Sequence, residues 1–174
     1  MKKRVLSIAA ILVAVVLALV VFLAANHEIG LPKPKLEQDM RQSQNIEETW
    51  STAGVAGDHM AAYIAYPDTK DDHVFSIYVN RPGLSWGYFF RGGGTLSEID
   101  QNIVELQLED CKEHAYLSMN HAGVVRVELD NGNRVQTVDL EPDEPFVMVL
   151  PNHAGTVTFY DANGTVVEPS QSPL

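Results

Sequence analysis

Twenty-one consecutive residues, Val5 to Ala25, hold a single polar side chain, Ser7, and follow directly on Lys2, Lys3 and Arg4. Few folds can take such a run. As a helix rising about 1.5 Å per residue it covers roughly 31 Å, close to the ~30 Å hydrocarbon thickness of a bilayer. Fourteen of its residues are Val, Leu, Ile or Phe, side chains whose insertion is favourable by about 0.3 to 0.6 kcal/mol each near the helix centre. The expectation is a single transmembrane helix over 5–25 that stays in the membrane as a signal-anchor. A cleaved secretory signal is the rival, but its apolar region usually spans about 7 to 15 residues and ends in an Ala-x-Ala-like triplet. Leu23-Ala24-Ala25 is the nearest approach to one. Basic residues flank spans on the cytoplasmic side. Residues 1–4 are therefore read as a cytoplasmic tail, and everything after Ala25 as extracytoplasmic.

Charge supports that division. All twenty-three acidic residues lie beyond the run with nine of the twelve basic ones, so this part carries a net −14 within a whole-chain −11. A basic face for nucleic acid is thereby excluded as a class. The acids are scattered, as solubility requires. Cys111 stands alone, so neither an internal disulfide nor a paired-thiolate site can form. A buried, inert thiol is its expected state.

Residues 26–57 read as a stalk. Leu31-Pro32-Lys33-Pro34-Lys35 favours extended backbone, and the polar stretch Glu37 to Glu48 offers too few apolar positions for a clear amphipathic helix, although a short one fits between Leu36 and Thr49. Its expected task is to lift the following domain off the lipid.

From about residue 58 to 168 the pattern becomes short apolar-alternating runs between turn clusters. The expected strands are 61–66, 74–80, 86–91, 103–108, 115–120, 124–130, 134–140, 146–150, 156–160 and 165–167, with one helical turn inside 95–102 capped by Thr95 or Ser97. Asn120-His121-Ala122-Gly123, Asp130-Asn131-Gly132-Asn133, Pro142-Asp143-Glu144-Pro145, Asn152-His153-Ala154-Gly155 and Asp161-Ala162-Asn163-Gly164 are the turns between them. The fold class predicted is mainly β, an antiparallel β-sandwich of Ig-like or jelly-roll-like type behind the helix, with 169–174 a disordered tail.

No catalytic constellation is visible. The six histidines, His27, His59, His73, His114, His121 and His153, include no His-x-His or His-x3-His pair. Asp68, Asp71 and Asp72 share a loop without the glycine and distal acid of a calcium loop. Ser76, Ser85, Ser97 and Ser118 lack flanking elbow glycines, and the proximity of Cys111 to His114 in sequence is no evidence of a dyad. Asn163-Gly164-Thr165 matches a glycosylation acceptor and equally a hairpin turn. Neither a metal nor a cofactor is expected.

The least ordinary stretch is Arg81 to Gly94, in which Trp86, Tyr88 and Phe90 share one strand face and Phe89 and Arg91 the other. Large aromatics dominate interiors, so the three are expected in the densest part of the core, with an exposed binding platform as the competing reading. Arg81, Trp86, Tyr88, Phe90 and Arg91 are the candidate binding residues. The function expected is a non-catalytic binding or interaction module of the bacterial cell envelope, held in the plasma membrane and meeting an envelope protein or polymer. The alternatives are an exported metal- or carboxylate-dependent hydrolase and a structural spacer in an envelope complex.

Overall fold

Met60 to Tyr66 contains no charge and no polar alternation, a pattern suited to a strand covered on both faces. The computed structural model shows that covering. It describes the backbone of residues 2–81 and 86–173 and the side chains of 11–81 and 86–172. Pro82, Gly83, Leu84 and Ser85 of the aromatic segment therefore lie outside the described residues.

From the N-terminus the elements are the helix α1 (Lys2–Ala25), a 3-10 turn (Lys33–Lys35), α2 (Leu36–Ser43) and the strands β1 (Ser51–Ala56), β2 (Met60–Tyr66), β3 (Val74–Asn80) and β4 (Tyr88–Gly94). The short helix α3 (Ser97–Gln101) follows, then β5 (Val104–Gln107), β6 (Glu113–Ser118), β7 (Val124–Asp130), β8 (Val135–Asp139), β9 (Phe146–Pro151), β10 (Thr156–Asp161), β11 (Val166–Val167) and β12 (Ser170–Pro173). The protein is mainly β, with antiparallel sheets consistent with a β-sandwich. The strand pairs form three four-stranded sheets, ordered β1-β2-β3-β4, β12-β5-β6-β9 and β11-β10-β7-β8. The pairing of β12 with β5 is parallel.

The middle sheet explains how the three sheets stack. Every residue of β6 is buried. Leu106, Ala115 and Leu117 face Met60, Ile64, Phe75 and Ile77 of the first sheet, while Tyr116 and Phe146 face Val127 and Phe159 of the third. Tyr116 and Phe159 meet edge to face at 5.1 Å between ring centres. Burial pushes the Tyr116 phenol up to about 12, and the nearby Glu105 carboxylate adds to that shift.

The segment expected as a stalk is instead the outer cover of the first sheet. Leu36 and Met40 on α2 are fully buried, and Leu36, with Leu31, closes over Ala61 of β2 and Tyr78 of β3 on the second face of that sheet. Two apolar residues one helical turn apart suffice when the sheet supplies the rest of the apolar surface. Tyr78 donates to Asp39 Oδ2 at 2.8 Å, pinning α2 to β3, and burial raises its phenol well above the ordinary value with that carboxylate reinforcing the shift. Ser51–Ala56 pairs along its length with β2. Small side chains disguised it: Gly54 lies under the Tyr63 ring, which a larger residue would displace.

Three more expectations are corrected. The supposed tail forms β12 through 170–173, and Trp86 precedes β4 in an isolated bridge rather than lying within a strand. The helical turn at 97–101 has Leu96 at its N-cap and no side-chain cap; Thr95 Oγ1 donates to the His73 carbonyl and Ser97 Oγ to Glu98 Oε2.

For α1, no helix among the described residues is long and apolar enough to cross a membrane. Its described side chains, 11–25, account for about 22 Å of helix. The expected span over Val5 to Ala25 rests on the sequence.

Candidate contact surface

The end of α1 sets the geometry of the aromatic segment. His27 adopts a left-handed φ of 55°, Glu28 N–H donates to the Leu23 carbonyl at 2.8 Å and His27 N–H to the Ala24 carbonyl at 3.2 Å. Those paired bonds are a Schellman motif, with histidine at the position usually given to glycine. The motif stops the helix and turns the chain sharply. Leu23 is the one described α1 residue that is buried, so the helix end is packed.

The turned chain then pairs with the start of β4. Trp86 N–H donates to the Glu28 carbonyl at 2.8 Å, Gly30 N–H to the Trp86 carbonyl, and Leu31 and Tyr88 exchange two bonds of 2.8 Å. Glycine is needed at both crossing points. A Cβ on Gly30 would strike the Tyr88 carbonyl, and Gly87 combines a φ of +88° with contact against Gly30 and Leu31.

The five candidate residues are therefore not brought together. Tyr88 is buried under Leu31 and Leu36. Its hydroxyl donates to the Gly57 carbonyl, and burial raises its pKa against the opposing charge of Lys33. Trp86 is 74% exposed and Phe90 49%, so the core reading holds for Tyr88 and the surface reading for the other two. At about 3.3 Å per residue, Phe90 sits roughly 7 Å along β4 from Tyr88, on the side away from Trp86. Phe90 packs edge to face on Tyr78 at 5.7 Å, and Arg91 is exposed beyond it. Arg81 lies at the Trp86 end, its guanidinium 4.2 Å from the centre of the Phe89 ring.

Ile29, the bridge partner of Trp86, is 46% exposed and joins this end of the surface. Its contribution follows from backbone pairing between distant segments and has no local sequence signal.

Elsewhere the titratable groups serve the fold. Glu113 is buried, and its carboxylate accepts backbone N–H bonds from Asp58 at 3.1 Å and from His59 and Met60 at 2.8 Å. A signal for it existed, since Glu113 is in phase with Ala115 and Leu117 on an apolar face. His73 is buried with Nε2 at 3.1 Å from the Leu96 carbonyl, and burial lowers its pKa. His114 Nδ1 lies 3.2 Å from Asn152 Oδ1, whose amide also donates to the Cys111 carbonyl at 2.8 Å. That arrangement superficially resembles a cysteine–histidine–asparagine triad. Burial pushes the Cys111 thiol up, the wrong direction for a nucleophile, and no hydrogen bond joins it to His114 among the described residues.

Ser118 donates to the Asn102 carbonyl and accepts from Asn120 N–H, both at 2.9 Å. Asp72 accepts from His73 N–H at 2.8 Å, and Asp71 accepts from Thr69. Among the described residues no group of three or more His, Cys, Asp or Glu is placed to hold a metal ion. Comparison with protein-family models, curated proteins and solved structures finds no match.

Proposed function

We propose that this chain is a single-pass, membrane-anchored β-module of the cell envelope, held by α1 with its β-sheets on the extracytoplasmic side, and that it acts by binding rather than catalysis. The observation that carries this reading is the bare apolar surface of α1. Ile11, Leu12, Val13, Val15, Val16, Leu17, Leu19, Val20, Val21 and Phe22 are all exposed, and among the described residues none buries them. Burying a side chain of this size is worth about 1.5 to 3 kcal/mol. Ten left in water on one helix would make an aggregating surface, while in lipid they are at home. The run extends back to Val5 in the sequence, and Lys2, Lys3 and Arg4 orient it.

The binding reading rests on how the buried polar groups are used. Glu113, His73 and His114 are occupied in bonds that tie loops to sheets. Trp86, Phe90 and Arg91 are exposed on the β-body, and aromatic and arginine side chains are the types that dominate contact energies.

Protease added outside spheroplasts tests the topology. The expected result is loss of the β-module and survival of a short membrane-embedded fragment carrying the N-terminus. Full protection in intact spheroplasts, with digestion only after lysis, would reverse the assignment.

A further inference from the structure

We propose that the partner of the Trp86 end of this surface is the membrane itself: Trp86, Ile29 and Arg81 seat the β-module on the outer lipid interface beside its own anchor. This rests on the anchored topology above and removes the spacer expected between anchor and module. The decisive relationship is the hydrogen bond from Trp86 N–H to the Glu28 carbonyl. Glu28 lies three residues beyond Ala25, where both α1 and the apolar run end. Three residues reach at most about 11 Å when fully extended, and the Schellman turn at His27 makes the path shorter. The interfacial layer flanking the hydrocarbon is about 5 to 8 Å deep on each side. Trp86 is therefore held at or next to that layer by the backbone.

The chemistry suits the location. Indole rings favour the headgroup level, where the apolar body meets the chains and the N–H meets water. Trp86 exposes this ring and Ile29 adds an apolar neighbour from the paired segment. Charge agrees as well. The exported part is strongly acidic, yet 29–35 and 86–90 contain no acid, 29–35 supplies Lys33 and Lys35, and Arg81 stands at the same hairpin end. Glu28 precedes this patch, and Asp58 is paired to Lys33 at 3.4 Å. Cations beside the helix exit fit lipid phosphates. The four backbone bonds between 28–31 and 86–88, together with the packed Leu23, make the connection rigid. Anchor and module are thus coupled, and the module takes a fixed pose on the membrane.

The test uses the full chain reconstituted into phosphatidylcholine vesicles, with Trp50→Phe leaving Trp86 as the single tryptophan. Vesicles carry lipid brominated either near the headgroup end of the acyl chain or near its terminus. The expected result is flotation with the vesicles and a loss of roughly half the Trp86 emission with shallow bromine, less with deep bromine. Trp86→Phe in the otherwise unchanged chain guards against a folding defect from the first substitution, since its remaining Trp50 emission should lose that depth-dependent quenching. A chain that floats while Trp86 emission ignores both lipids and yields to aqueous iodide overturns the seating and leaves the anchor intact. A chain that fails to float overturns the anchor, and the seating with it.

Discussion

The Glu113 carboxylate accepts the Met60 backbone N–H at 2.8 Å, across a sequence separation of 53 residues. It also takes the amides of Asp58 and His59, so one side chain of the middle sheet holds the whole β1–β2 turn. Tyr88 fastens the same turn from the other side through the Gly57 carbonyl. Glu113→Ala leaves three donors short of an acceptor and is expected to cost about 3 to 5 kcal/mol, with Glu113→Gln costing less because one oxygen remains. Urea denaturation of the full chain in detergent micelles measures both. Equal, negligible losses would show that the carboxylate is not what holds the turn.

Met40 separates a stalk from a folded cover. In a solvated spacer Met40→Ala would change stability by no more than about 0.5 kcal/mol. Met40 is fully buried on α2, and the expected cost is about 2 to 4 kcal/mol by the same denaturation measurement.

His73 gives the fold a pH dependence. Burial lowers its pKa below the ordinary imidazole value of about 6.5, so the unfolded chain takes up this proton before the folded chain does. The stability it contributes is whole above about pH 6.5 and is lost as pH falls through the lowered folded value. His73→Gln, which has no titrating ring, should flatten the dependence of stability on pH below about 6.5 while leaving the acid limb of the carboxylates. An unchanged slope would exclude His73 as its source.

Cys111 should resist chemistry in the native state. The thiol is 9% exposed and its pKa is raised by burial, so alkylation at neutral pH is expected to be at least about tenfold slower than for a free thiol and complete only in denaturant. Non-reducing electrophoresis should show no disulfide-linked dimer. Rapid native labelling would mean that the β5–β6 loop opens.

Strands were legible where side chains alternate and turn chemistry is explicit. Val125, Val127 and Leu129 marked β7, and Asp161 closes its predicted turn by accepting the Asn163 and Thr165 amides at 2.8 Å. Legibility failed where partners come from far along the chain. Ser51–Ala56 and Ser170–Pro173 lack large β-formers and are strands because β2 and β5 offer them free edges. The period of two placed Tyr88 and Phe90 on one face, yet α2 buries the first and leaves the second half open. No local pattern could indicate that 28–31 would return to Trp86, since that contact depends on where α1 stops.

Alkaline carbonate extraction followed by flotation of the full chain, beside a chain lacking residues 2–25, tests the anchoring claim most directly. The full chain is expected to stay with the lipid at high pH and the truncated chain to remain in the aqueous fraction. Release of the full chain into solution, or equal flotation of both, would contradict an anchor formed by α1.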